Sequence, residues 1–137
     1  MTACLFGTYD RGHSANRVLR LALAGAGWNV VECHEPLWER TPNKTAGYFR
    51  APSLAALGAR YAAAAVRLAR RWRALGGPPP LVVTGFGGQL DILLARRLCR
   101  PRAGLLFAPL VSLTETLVVD RPLFSARGPG GRALGVL

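Results

Sequence analysis

The chain has 137 residues, with 18 Lys plus Arg against 7 Asp plus Glu, a formal net charge of +11 and a hydrophobic fraction of 50%. That length suits one domain of the usual ~100–200 residues, able to bury roughly two-thirds of its unfolded surface. The apolar fraction excludes wholesale disorder, which needs low hydrophobicity together with high charge.

Cys4, Cys33 and Cys99 are odd in number and widely spaced, with no Cys-x-x-Cys pair. Neither a disulfide framework nor a zinc site is indicated, and a reducing, cytosolic setting fits. Among the basic residues only Lys44 is lysine; the other 17 are arginine in a chain rich in Ala, Leu, Gly and Pro, a bias that a GC-rich coding sequence produces by itself. A nucleic-acid footprint needs basic residues gathered on one face. Here they are dispersed, and no aromatic stacking platform accompanies them, so nucleic acid is not an expected partner. The start, Met1-Thr-Ala-Cys-Leu-Phe6, has no charged n-region or apolar stretch of a signal peptide. The longest apolar window, Leu105 to Val119, carries Pro109 and Glu115 and falls short of the roughly 20 apolar residues of a span. The expectation is a soluble cytoplasmic protein, with peripheral attachment to the inner face of a membrane as the furthest departure from it.

Thr2–Phe6 is a short apolar run ended by Gly7, the pattern of a buried strand. The polar stretch Thr8 to Ser14 reads as a loop. Ser14 or its neighbour caps a helix over Asn16–Ala24, with a broad apolar face of Val18, Leu19, Leu21, Ala22 and Leu23. Gly25 and Gly27 stop it, and Trp28–Cys33 makes a second strand. About thirty residues is the natural length of a right-handed βαβ crossover. His34 to Phe49 is irregular, with Trp38 and Tyr48 as apolar anchors. A long helix follows from about Ser53 to Leu75, its stripe formed by Leu54, Leu57, Tyr61, Leu68, Trp72 and Leu75. Arg60, Arg67 and Arg71 fall on a separate row. Leu81–Thr84 is a third strand, Gly85–Gly88 a tight turn, Gln89–Cys99 a helix and Gly104–Ala108 a fourth strand. From Ser125 the chain is Gly- and Arg-rich without periodicity, the pattern of a disordered tail. Alternating strands and helices predict an α/β, Rossmann-like parallel sheet with helices on both faces.

Ligands in such sheets bind beyond the carboxyl ends of the strands. Two loops lie there. In the first, Gly7 to Ser14 with Asn16 and Arg17, helix N–H groups favour an anion and Arg11 and Arg17 can pair with phosphate or carboxylate. The plain alternative is a polar connection with solvated charges. The second, Gly85-Phe-Gly-Gly-Gln-Leu-Asp91, permits close backbone approach to a ligand, or simply tight helix–sheet packing. It is not a dinucleotide fingerprint: Leu90 stands where the third glycine belongs, and no acid follows at about 20 residues. No Gly-Lys-Ser/Thr and no Gly-x-Ser-x-Gly occur, which removes the P-loop and the nucleophile elbow. His13 is a candidate for substrate contact or proton transfer, weighed against a solvated bystander. His34 reads as structural. Glu32, Glu35 and Glu39 form no metal-ligand spacing with either histidine, so no metal is expected. The arginine row at 60, 67 and 71 is either a solvated face or an attraction to anionic membrane.

Leu5-Phe-Gly-Thr-Tyr-Asp-Arg11, Asn16-Arg-Val-Leu19 and Gly27-Trp-Asn-Val-Val-Glu-Cys-His34 resemble the opening of family 4 (group 1) glycosyltransferases. Pro36-Leu-Trp-Glu39 with Lys44-Thr45, Val82 to Asp91, and Leu113-Thr-Glu-Thr-Leu-Val-Val-Asp-Arg121 continue the likeness in collinear order. It covers about residues 1–124, leaving 125–137 as the tail. The resemblance implies the amino-terminal, acceptor-side half of a GT-B enzyme, in which two Rossmann-like domains enclose the reaction cleft. It further implies retaining, metal-independent sugar transfer to a glycan or lipid acceptor, with Gly7, Thr8, Tyr9, Asp10, Arg11, Arg17, Gly87, Gly88 and Gln89 facing that cleft. Neither histidine matches a motif for the catalytic role. The nucleotide-sugar belongs to the second domain, whose Glu-x7-Glu region this sequence lacks. The expectation is therefore a truncated product, a partial reading frame or half of a split enzyme, inactive alone. The alternative is a non-catalytic Rossmann-like module that binds an anionic ligand or membrane surface.

Overall fold

The computed structural model describes residues 1–39, 51–99, 103–109 and 128. Its elements run β1 (Thr2–Gly7), α1 (Ser14–Gly25), β2 (Asn29–His34), α2 (Ala51–Ala74), β3 (Leu81–Thr84), α3 (Asp91–Cys99) and β4 (Gly104–Phe107). The four strands form one all-parallel sheet in the order β2-β1-β3-β4. This is the α/β, Rossmann-like arrangement expected from the alternation of strand and helix patterns.

Parallel neighbours need crossovers, and right-handed crossovers dictate which face each helix covers. The chain steps one way from β1 to β2, then returns past β1 to β3 and on to β4. Accordingly α1 lies on one face and α2 and α3 on the other. On the α1 face Leu5, Tyr9 and Val83 pack with Leu19, Leu23, Val30 and Leu81. On the opposite face Cys4, Phe6, Cys33, Leu68, Val82, Ala95 and Cys99 form the larger core. There Trp72 meets Phe6 edge-on, with ring centroids 6.0 Å apart. β1 is buried from Ala3 to Gly7 because it is central and covered on both sides, which is why its run is continuously apolar. β2 and β4 are edges and more exposed.

Several boundaries and one face differ from the sequence reading. The helix expected from Gln89 starts at Asp91, because Gly87 takes a left-handed φ of +88° and keeps the turn going. In α1 only part of the expected apolar face is covered: Leu19 and Leu23 pack on the sheet, while Val18 and Leu21 are 64% and 67% exposed. One helix on that face meets the sheet along a single stripe. The irregular stretch is seen as far as Glu39, and its anchor Tyr48 with Lys44 and Thr45 lies outside the described residues. So do the segment from Leu113 to Arg121, the domain boundary at 124 and nearly all of the 125–137 tail. Among the described residues no helix is long and apolar enough to cross a membrane.

Candidate functional site

The strand order reverses between β1 and β3, so the loops leaving these two strands diverge to opposite faces and open a crevice at their carboxyl ends. Two buried side chains tie the loops together. Asn16, 5% exposed in the first turn of α1, donates from Nδ2 to the Asp10 carbonyl (2.9 Å) and the Phe86 carbonyl (3.2 Å). Its Oδ1 accepts the Phe86 amide at 2.8 Å. Asp91, fully buried at the start of α3, accepts the Thr8 amide on Oδ2 at 2.7 Å and the Thr8 hydroxyl at 3.0 Å. Burial pushes the Asp91 carboxyl above its ordinary value, against the hydrogen bonds from Thr8, which favour the ion. The Tyr61 hydroxyl faces the same carboxylate electrostatically, but it is buried without a partner in hydrogen-bonding geometry.

Glycine is required where these clasps close. At Gly7, with φ +136°, a Cβ would run into the Asp91 carboxylate; at Gly85 it would strike Asn16 Oδ1. At Gly88 a Cβ would lie 3.0 Å from the Gly85 carbonyl, which also receives the Gly88 amide. Around Gly87, by contrast, a Cβ would meet nothing within 4 Å. The β3–α3 turn therefore presents Gly87 outward while Gly85 and Gly88 hold its base.

His13 is no bystander. It is the N-cap of α1, with Nδ1 accepting the Ala15 amide at 3.3 Å, and its ring stacks on Phe86 at 4.3 Å. With Nδ1 committed to the helix end, Nε2 is the ring nitrogen left for a ligand. Asp10 Oδ1 accepts the Gly12 amide at 2.8 Å, shaping the turn before the helix. His34 is buried as expected: Nε2 lies 2.7 Å from the Tyr9 carbonyl and 3.5 Å from Glu39 Oε1. Two acceptors at one nitrogen place the proton on Nε2.

The expected site residues divide into two groups. The Asn16 and Asp91 clasps bring Gly7, Thr8, Asp10 and His13 of the first loop beside Phe86, Gly88 and the turn that carries Gly87, and Gln89 follows that turn in sequence. Arg11 and Arg17 do not join the glycine turn. They line a pocket on the β2 flank of α1 with Leu5, Tyr9, Asn16, Arg20, Leu21 and Glu32. On the other flank a depression of about 630 Å³ is lined by Ser14, Ala15, Val18, Leu19, Ala22, Phe86 and Ala108. The arginine row of α2 has an internal task. Arg67 Nε and Arg71 Nε reach the two oxygens of buried Glu35 at 2.7 and 2.8 Å, and Arg60 approaches the Leu37 carbonyl. This row fastens the segment after β2 to α2.

Sequence reasoning named Asn16 only as part of the first loop, Asp91 only as the end of the second and Glu35 only in dismissing a metal spacing, and gave none of them its clasping role. Each carried a signal: a lone acid opening an apolar helix after a glycine turn, an amide in a helix's first turn, and an acid between two buried segments. Among the described residues no group of three His, Cys, Asp or Glu side chains is placed to hold a metal.

Strand order and helix placement together define an α/β protein with a parallel doubly wound sheet whose switch point lies between β1 and β3. Compared with family models, curated proteins and solved structures, the chain finds no match.

Proposed function

We propose that the chain is the acceptor-side half of a family 4-like GT-B glycosyltransferase. The observation that carries this reading is the crevice at the β1/β3 switch point. Its two loops, the Gly7–Arg11 stretch and the Gly85–Gln89 turn, are the segments on which the resemblance rests, and they are joined by Asn16 and Asp91. A glycine turn with Gly87 facing outward lets a polyhydroxylated ligand approach the backbone closely. The apolar depression beside Phe86 suits the carbon face of a sugar ring or the chain of a lipid-linked acceptor.

In this reading the nucleotide-sugar is held by a second Rossmann-like domain, on a longer chain or a separate one. The 137 residues bind acceptor but transfer nothing, because donor and acceptor cannot be brought together. The protein acts in the cytoplasm, at the inner membrane face if the acceptor is lipid-linked. The rival reading, a non-catalytic module for an anionic ligand, draws on the basic pocket beside α1; its membrane version loses the α2 arginines already engaged by Glu35.

The test is heteronuclear NMR of the chain against a panel of glycans and short-chain lipid-linked sugars. Shifts at Gly7–Asp10 and Phe86–Gln89, with no product from labelled nucleotide-sugars, are expected. Absence of binding across the panel, or shifts confined to another surface, would overturn the acceptor assignment. Catalytic transfer by the chain alone would overturn the half-enzyme assignment.

A further inference from the structure

The pocket between α1 and β2 has about 260 Å³ of space and is built from charges that do not balance. Arg11 and Arg20 both pair with Glu32 on β2, the latter through Nε at 3.2 Å. Arg17 completes the wall and pairs with no carboxylate among the described residues. Three guanidinium groups against one carboxylate leave the pocket a net charge of +2. Its floor is Tyr9, 3% exposed, whose hydroxyl is buried without a hydrogen-bond partner. The Arg11 guanidinium and the Glu32 carboxylate both act on that hydroxyl electrostatically.

A buried hydroxyl without a partner is costly in a finished core, and two arginines sharing one carboxylate leave forked donors unused. Both deficits are met by one kind of ligand, a compact dianion with several acceptor oxygens. We propose that this pocket binds a phosphate monoester, with Arg17 as its unshared cation, Arg11 and Arg20 turning part of their donors from Glu32 to the ligand, and Tyr9 donating from the floor. The volume admits a phosphate group together with the first atoms of whatever carries it, and the rest of the carrier lies outside, along the exposed flank of α1. The site goes beyond the acceptor crevice and stands whether or not the transferase reading holds.

The experiment is calorimetric and NMR titration of the chain with inorganic phosphate and glycerol 3-phosphate, glycerol serving as the uncharged control. A second arm measures flotation with phosphatidylcholine vesicles containing either phosphatidic acid, a monoester, or phosphatidylserine, a diester. The first arm reads a soluble source of the phosphate, the second a lipid source, and saturable binding in either supports the site. Arg17→Gln is expected to weaken binding about tenfold, the loss of one charge-assisted contact. Tyr9→Phe weakens it several-fold. Glu32→Gln, which removes the competing carboxylate, tightens it. Arg73→Gln, on α2, leaves it unchanged. The proposal is overturned if no monoester binds, if phosphatidylserine is held as well as phosphatidic acid, if Arg73→Gln weakens binding as much as Arg17→Gln, or if Glu32→Gln fails to tighten it.

Discussion

Asn16 and Phe86, 70 positions apart, are joined at two points: the side-chain amide donates to the Phe86 carbonyl and accepts from the Phe86 amide, much as a neighbouring strand would. The β1–α1 and β3–α3 loops are thus held directly to each other. Asn16→Ala leaves the Phe86 and Asp10 backbone groups without these partners and is expected to cost about 2–3 kcal/mol. Gly85→Ala drives a Cβ into Asn16 Oδ1 and costs about 1–3 kcal/mol by overpacking. Because both act on one contact, Gly85→Ala should cost much less in an Asn16→Ala background. Urea unfolding of the four proteins in a double-mutant cycle measures the coupling, and strict additivity would disprove the clasp.

The buried Asp91 carboxyl predicts a pH dependence with a definite sign. Its folded-state value is raised, chiefly by burial, above the ordinary 3.8. The folded chain therefore holds this proton more tightly than the unfolded chain. The stability tied to the group is complete below the unfolded value and falls as pH rises through the folded one. Asp91→Asn keeps an acceptor for the Thr8 amide and cannot ionise. Urea midpoints of both proteins from pH 3 to 8 should show the wild type losing ground to Asp91→Asn as pH increases, then a constant gap. A gap that changes in the opposite direction would mean that the hydrogen bonds from Thr8 outweigh burial.

Cys4, Cys33 and Cys99 are all buried, and burial is the leading cause that raises their thiols to about 12, 11 and 11. At pH 8 a thiol with a value near 11 is ionised to roughly one part in a thousand, and the thiolate is the reactive form. Ellman's reagent should find essentially no fast-reacting thiol in the native chain and three in 8 M urea. A stoichiometric fast phase under native conditions would place a cysteine at the surface.

Glu35 sits almost buried between Arg67 and Arg71, whose side chains are 52% and 58% exposed. Solvent screens each guanidinium, so Arg67→Ala or Arg71→Ala alone should cost about 1 kcal/mol. Removing both strands the carboxylate in the interior and should cost roughly 3 kcal/mol, more than the two singles together. Thermal unfolding of the three variants tests this, and a double variant no worse than the sum would show Glu35 to be solvated.

The four strands and three helices could be read from local pattern, because period and composition are properties of short windows. Ala3–Phe6 is apolar throughout since β1 is central, and Leu81–Thr84 was legible for the same reason. The loops that form the crevice were legible from their place after those strands. The cap of α1 was legible only to within one residue, because His13 and Ser14 can both accept from a helix end and the stacking of His13 on Phe86 decides between them.

Contacts between distant segments were not legible. Thr8 meets Asp91 across 83 positions, and Glu35 meets Arg67 across 32. No window of sequence contains either pair, and the arginines look like a solvated row until α2 is laid beside the end of β2. The alternation of patterns along the chain was enough to specify a parallel sheet between helices. Which strands are neighbours, which face each helix covers, and hence which side chains converge on the crevice and which on the basic pocket, were decided only by the order β2-β1-β3-β4. That order emerges when right-handed crossovers must bury all the apolar faces at once, a condition on the whole chain that no single segment carries.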